Sequence, residues 1–216
     1  TTGFMKEKVP RSQKLLFGLI ILSLLGTQFW VWNEYIKHRV IPKRWGVVVP
    51  GTIYRSGQLS KELVKNTLLK YRIQLVIDLT LEDRSDPNQE AEQKTASELG
   101  IEYVRFPLQG DGRGDVRNYA LAIAAMVNAR AQGRPALVHC AAGVQRTGAV
   151  VAAYRLLIEN KDPPEVYKEL VHNKWDPKKN SILLDYLNKN MEEIARQLNE
   201  MGVLKTMPDP VPVLQP

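Results

Sequence analysis

The sequence predicts an α/β fold in which a central, mostly parallel sheet is flanked by helices, with one N-terminal transmembrane helix ahead of it. Short apolar runs typical of buried strands alternate with longer segments of helical periodicity, and a long uncharged segment stands near the N-terminus. With 216 residues, the chain is long enough for one ordinary domain and its attachments. Hydrophobic residues make up 44% and charged residues 25%, which is typical of a globular protein.

The uncharged segment runs from Leu15 to Trp32 and has basic clusters on both sides. At about 1.5 Å of helix per residue it reaches across the core of a bilayer. Aromatic residues stand at its far end, as at a lipid–water interface, and no small-residue cleavage site follows it. The sequence therefore predicts a retained anchor. The predicted segments are a basic tail at 1–14, the anchor at 15–32 and a linker at 33–45.

The net charge of +7 comes almost entirely from residues before Trp45. Basic side chains that flank an apolar segment indicate contact with anionic lipid head groups and argue against a nucleic-acid groove. Because both flanks are basic, the positive-inside rule leaves the orientation open. A short basic N-terminus before a single apolar segment resembles an uncleaved signal anchor, which favours an extracytoplasmic C-terminal domain.

The globular domain is predicted at 46–203. Apolar runs such as Leu75 to Leu79 are typical of strands covered on both faces, and Gly133 ends a helix whose apolar residues share one face. Strands are predicted at 47–49, 52–54, 75–79, 102–106 and 136–139, and helices at about 60–69, 88–100, 116–131, 147–160, from 163 and at 181–201. The proline-rich segment 204–216 is predicted to be disordered.

The stretch from Val138 to Gly148 reads VHCAAGVQRTG and joins a predicted strand to a predicted helix. Such a loop can direct several backbone N–H groups at one anion, with help from the helix dipole. The same field lowers the pKa of Cys140 and favours the nucleophilic thiolate. The single cysteine excludes an internal disulfide. The predicted phosphate-binding residues are Ala141, Ala142, Gly143, Val144, Gln145 and Arg146.

Three side chains beside Cys140 have predicted roles. The planar fork of Arg146 suits two phosphate oxygens at once. The hydroxyl of Thr147 can donate a hydrogen bond to the sulfur and ease its departure from phosphorus. His139 is expected to order the loop by hydrogen bonds rather than to transfer protons.

The motif His139-Cys140-x5-Arg146-Thr147 resembles the signature of the protein tyrosine phosphatase superfamily, and the chain is similar to its compact dual-specificity branch. The resemblance covers roughly 47–199 and implies a general acid on an upstream loop. Asp111 is the favoured candidate, and Asp115 is the alternative, although it could instead cap the next helix. The glycines of this loop predict mobility, and Arg113 is a candidate substrate contact.

Other polar residues have simpler interpretations. Asp78 and His172 are expected to be structural, and Arg55 either braces the active-site loops or lies on the surface. An acidic run that lacks metal-ligand spacing is expected to be a solvated loop. Its residues are Glu82, Asp83, Asp86 and Glu90.

The sequence therefore predicts a membrane-anchored phosphomonoester hydrolase that forms a phosphoryl-cysteine intermediate. No cofactor or metal is expected, because Arg146 and the loop amides supply the positive charge. The predicted substrates are proteins phosphorylated on tyrosine, serine or threonine. A membrane phospholipid or lipid-linked phosphate is the alternative substrate, and the uncharged loop positions argue against polyphosphoinositides. An inactive phosphate-binding scaffold is the third possibility. The predicted partners are the substrate and the membrane, and the oligomeric state is left open.

Overall fold

The computed structural model describes residues 11–32 and 36–216. The first part of the predicted basic tail and residues 33–35 of the predicted linker lie outside these ranges. The chain divides into a first unit that ends at Ile41 and a second, larger unit at Pro42–Pro216.

The first unit contains α1 (Arg11–Val31) and α2 (Lys37–Val40). Large apolar side chains of α1 are exposed, and those of Leu22 and Phe29 are each 71% accessible. Within the described ranges, no helix is both long enough and apolar enough to cross a membrane.

The second unit is an α/β domain built on a mixed sheet with strand order β1-β2-β5-β3-β4. Its strands are β1 (Gly46–Val49), β2 (Ile53–Gly57), β3 (Leu75–Asp78), β4 (Glu102–Arg105) and β5 (Ala136–Cys140). Its helices are α3 (Val64–Lys70), α4 (Pro87–Glu98), α5 (Val116–Ala131), α6 (Gln145–Leu157), α7 (Pro163–His172) and α8 (Ser181–Glu200). Only β1 runs antiparallel to its neighbour within this sheet, so the predicted mostly parallel arrangement is confirmed.

The helices cover both faces of the sheet, and the side chains of β5 alternate between the two cores. Val138 belongs to the larger core with α5, α6 and α8, whereas Leu137 belongs to the smaller core with Leu68 of α3. Every residue of β5 is buried. The segment from Val138 to Gly148 therefore starts from a fully buried strand.

The register of the central strands brings three loops to one edge of the sheet. Cys140 pairs with Gly57 of β2, and His139 pairs with Asp78 of β3. Since parallel strands end at the same edge, the segments that follow β2, β3 and β5 meet there.

The second unit extends past the predicted domain, 46–203, at both ends. At its start the unit includes 42–45 of the predicted linker, where the carbonyl of Lys43 accepts a hydrogen bond from the N–H of Gly57 at 2.7 Å. The C-terminal segment is not disordered. Leu214 is buried in the main core, and its backbone exchanges two hydrogen bonds with the side chain of Asn188, at 2.8 and 2.9 Å. Local composition did not reveal this packing, because the apolar partners of Leu214 lie elsewhere in the chain.

Candidate active site

Cys140 ends β5, and the next residues turn tightly around its sulfur before α6 begins at Gln145. The N–H of Gly143 donates to the Cys140 Sγ at 3.2 Å. Gly143 has a φ of 72°, and a Cβ at this position would lie 2.5 Å from the backbone nitrogen of Gly57. Glycine is therefore required here both for its conformation and for the close approach of β2.

Residues at the end of β2 hold the loop by hydrogen bonds to its backbone carbonyls. The N–H of Gln58 donates to the carbonyl of Ala141 at 3.2 Å, and Nη2 of Arg55 donates to the carbonyl of Gly143 at 3.0 Å. Ala141 and Ala142 are exposed, whereas Val144 and Gln145 are half-buried. The predicted phosphate-binding residues thus form one short loop whose carbonyls are engaged from behind.

The surroundings of Cys140 favour its thiolate. Burial by itself raises the pKa of the thiol, but hydrogen bonding from Thr147, the charge of Arg146 and the N–H of Gly143 outweigh burial and lower the pKa. The Thr147 hydroxyl is buried, and among the described residues no group lies at the distance and angle of a regular hydrogen bond to it. Its proximity to the sulfur nevertheless makes it the strongest influence that opposes burial.

Arg146 lies in the first turn of α6, which begins earlier than the sequence predicts. Its side chain is half-buried, and Nη1 lies 3.5 Å from the carbonyl of Leu79, at the limit of a hydrogen bond. Its other guanidinium nitrogens have no hydrogen bond to the described residues, and its charge acts on the Cys140 thiol. The phosphate-binding role of Arg146 stays a prediction.

Arg55 is buried beneath the loop and is not a surface residue. Burial lowers the pKa of its guanidinium to about 10, although the charges of Glu169 and Cys140 oppose this change. Its Nε and Nη1 atoms have no hydrogen-bond partner among the described residues. The structure therefore decides the question that the sequence left open, because Arg55 braces the loop through the carbonyl of Gly143.

Behind Cys140 lies a buried polar cluster centred on His139. Its Nε2 lies 3.0 Å from Glu92 Oε2 and 3.9 Å from Asp78 Oδ1. Asp78 accepts hydrogen bonds from the hydroxyl of Tyr103 at 2.6 Å and from Nε of Arg105 at 2.9 Å. Burial lowers the pKa of His139, but the carboxylates of Glu92 and Asp78 outweigh burial and raise it to about 9.

This cluster is balanced in charge without a metal ion. His139, Glu92 and Asp78 offer donor atoms within 4.8 Å of one another, as a metal site would. However, protonated His139 and Arg105 already neutralise the two carboxylates, and Asp78 is saturated by hydrogen bonds. The cluster therefore holds the His139 side chain beside Asp78 and Glu92, and the role of His139 in ordering the loop stays a prediction.

Sequence reasoning missed Glu92. Its side chain is fully buried on the same face of α4 as Gln89 and Ala96. The sequence did contain a signal for it. Helical spacing assigns Glu92 to the buried face of its helix, and a buried carboxylate needs a partner of opposite charge.

Asp111 and Asp115 have different roles in the loop before α5. Asp115 caps α5, because its carboxylate accepts from the N–H of Arg117 at 2.9 Å. Asp111 is partly exposed, and Oδ2 lies 2.8 Å from Nη2 of Arg113. Burial raises the pKa of Asp111, but the hydrogen bonds and charge of Arg113 outweigh burial and lower it. Arg113 therefore contacts the candidate acid, and the acid role of Asp111 stays a prediction.

Side-chain hydrogen bonds to backbone carbonyls hold the loop that contains Asp111. With its amide oriented so that the nitrogen faces the carbonyls, Gln145 donates to Gly110 at 2.9 Å and Asp111 at 3.1 Å. The hydroxyl of the buried Tyr119 donates to the carbonyl of Gly112. A Cβ on Gly112 would overlap Leu183, so this side of the loop packs closely against α8.

The remaining polar candidates are His172 and the acidic run. His172 is exposed in the last turn of α7. In the acidic run, Asp86 caps α4 and Asp83 accepts from the hydroxyl of Ser85 at 2.6 Å. Local hydrogen bonds account for these two carboxylates, as expected for a solvated loop.

Comparison with known proteins agrees with this geometry. Residues 49–184 match the model of the family described as "DSP-PTPase phosphatase fused to NAD+ Kinase". The chain is 30% identical over 97 residues to a dual specificity protein phosphatase of vaccinia virus (strain Copenhagen), a match that covers 44% of this chain and 51% of that protein. The chain thus spans about half the length of the curated relatives that it matches.

Solved structures share the fold at low sequence identity. TpbA of P. aeruginosa superimposes with a TM-score of 0.58 at 19% identity, covering 74% of this chain and 91% of that one. The core catalytic domain of the PP-IP phosphatase SIW14 from S. cerevisiae gives a TM-score of 0.55 at 21% identity, covering 74% and 95%.

Proposed function

The chain belongs to the family described as "DSP-PTPase phosphatase fused to NAD+ Kinase" and is a cysteine-dependent phosphatase of the compact dual-specificity type, and from this premise we propose that it dephosphorylates proteins at a membrane. The observation that carries the proposed chemistry is the loop around Cys140, where a backbone N–H meets the sulfur and Arg146 stands beside it.

The reaction proceeds in two steps. The Cys140 thiolate attacks phosphorus and forms an S–P bond, while the bond to the leaving oxygen breaks and Asp111 gives that oxygen a proton. Water then attacks the phosphorylcysteine, Asp111 takes a proton from the water, and the S–P bond breaks to release phosphate and the thiolate. Arg146 and the loop amides stabilise the charge on the equatorial oxygens in both steps.

Asp111 must be protonated when substrate is bound, although Arg113 lowers its pKa in the free enzyme. A phosphate dianion in the loop would raise the pKa of Asp111 and would compete for Arg113. The ion pair between Asp111 and Arg113 would thus open as substrate enters.

Phosphorylated tyrosine, serine or threonine in proteins is the proposed substrate class. The loop positions that vary around the phosphate carry no cation at Ala141, Ala142, Val144 or Gln145, so they provide no sites for additional phosphates. The match to viral dual specificity protein phosphatases supports this substrate class.

We further propose that the apolar segment at 15–32 attaches the chain to a membrane, with the catalytic domain on the extracytoplasmic side. The exposed apolar side chains of α1 support this attachment, since large exposed apolar surfaces mark sites that bind a membrane or another protein. They also favour a second candidate substrate, a singly phosphorylated membrane lipid. Carbonate extraction of membranes would test attachment, and release of the chain into the soluble fraction would count against it. A C-terminal reporter active only outside the cytoplasm would test the orientation.

The test of the chemistry is hydrolysis of p-nitrophenyl phosphate by the full chain in detergent with a chelator present. Cys140→Ser should abolish turnover, and Asp111→Asn should lower kcat by about 100-fold or more. Asp115→Asn is the matched control, because asparagine still caps α5, and it should behave like the wild type. Turnover by Cys140→Ser would refute the mechanism. Phosphopeptides and phospholipid vesicles, compared by kcat/KM, then decide between the two substrate classes.

A further inference from the structure

The first residues of the second unit lie against the loop around Cys140. The backbone carbonyl of Lys43 accepts a hydrogen bond from the N–H of Gly57. The side-chain Cδ of Lys43 would lie 2.9 Å from a Cβ added to Gly57. The next residue, Arg44, donates from Nη1 to the carbonyl oxygen of Ala142 at 2.7 Å. The first unit ends at Ile41, so this contact comes directly after the boundary between the units.

The contact of Arg44 acts on the peptide group that faces the sulfur. A trans peptide directs its C=O and its N–H to opposite sides. In the peptide between Ala142 and Gly143, Arg44 holds the oxygen, and the N–H points to the Cys140 Sγ at 3.2 Å. The flanking carbonyls of Ala141 and Gly143 accept from Gln58 and Arg55, so the contact of Arg44 completes a row of three engaged carbonyls.

The backbone of Arg44 supports a specific role. Its φ is 49°, in the left-handed region that residues other than glycine seldom adopt. Such conformations cost free energy and persist where the surroundings impose them, often at functional sites. In Arg44 this conformation directly follows the hydrogen bond from the Gly57 N–H to the Lys43 carbonyl, and the Arg44 side chain reaches the loop at Ala142.

We propose that Arg44 is a positioning residue for the phosphatase reaction, which holds the Ala142–Gly143 peptide so that its N–H faces the Cys140 sulfur and the phosphoryl group. The inference rests on the proposed function, because it gives a role to a residue outside the signature motif. It also makes the linker after the first unit a part of the active site. A catalytic fragment that starts at Gly46 would lack this contact.

The experiment measures two properties of the full chain in detergent. The first is the pH dependence of alkylation of Cys140 by iodoacetamide, which reports this residue alone because the chain has one cysteine. The second is kcat and KM for p-nitrophenyl phosphate. Arg44→Ala should move the alkylation midpoint to higher pH and lower kcat by about tenfold, with a smaller change in KM. Arg44→Lys keeps a charged donor and should recover part of both properties.

The matched control is Arg72→Ala. Arg72 is also an exposed arginine with a positive φ, of 54°, and it has no hydrogen bond to the Cys140 loop. It should match the wild type in both measurements. An unchanged alkylation midpoint in Arg44→Ala would overturn the proposal even if KM rose, since that result would mark Arg44 as a direct substrate contact. An equal loss in Arg72→Ala would overturn it too. Alkylation requires no turnover, so failure of the proposed phosphatase chemistry would be recognised separately.

Discussion

Replacing Glu92 by glutamine removes the carboxylate nearest to His139 while it nearly preserves the size of the side chain. The pKa of His139 is raised from 6.5 to about 9 in the folded protein. At about 1.4 kcal/mol per pKa unit, this difference couples protonation of His139 to folding by about 3 kcal/mol. Glu92 is the stronger of the two carboxylates that raise the pKa. We therefore expect Glu92→Gln to lower the free energy of unfolding by about 2 kcal/mol where His139 is charged.

The effect should depend on pH with a defined sign. Because the folded pKa of His139 lies above its unfolded value, the stabilisation is complete below about pH 6.5 and is lost as the pH rises to about 9. The difference in unfolding free energy between the wild type and Glu92→Gln should therefore be largest at about pH 6 and should disappear above about pH 9.

Urea unfolding of the full chain in detergent, followed by tryptophan fluorescence across this pH range, measures the difference. Glu90→Gln is the matched control, because Glu90 is exposed on the same helix, and it should change stability little at any pH. A difference between the wild type and Glu92→Gln that stays constant from acid to alkaline pH would refute the coupling to His139.

Three further predictions concern the tail and the two catalytic loops. Leu214→Ala should lower the free energy of unfolding by about 2–3 kcal/mol in urea titrations, whereas Val213→Ala, at an exposed position, should have little effect; equal effects would contradict the docked tail. Arg113→Ala should raise the pKa of Asp111 in the free enzyme and move the alkaline limb of the kcat/KM–pH profile to higher pH, and a limb that stays in place would argue against Asp111 as the acid. Gly143→Ala should lower kcat/KM by about 100-fold, because the added Cβ displaces the loop; near-normal activity would show that the loop tolerates another shape.

Most of the fold could be predicted from local patterns. The helix predicted at 116–131 is observed as α5 at Val116–Ala131, and each predicted strand overlaps an observed one. The alternation of strands and the periodicity of helices depend on residues that are close in sequence, so these patterns predict strands and helices well. The antiparallel pairing of β1 was not predicted, because the direction of an edge strand depends on its partner.

The sequence by itself determined the chemistry at Cys140. The nucleophile, the loop glycine and Arg146 lie within one strand–loop–helix segment, so their spacing alone carries the geometry. Only the tertiary structure decided what surrounds that segment. Glu92 reaches His139 from α4, Arg44 reaches Ala142 from the linker, and Leu214 enters the core from a segment whose composition predicts disorder. These contacts join residues that are distant along the chain, and they depend on how the packed elements approach one another, which no local pattern of residues encodes.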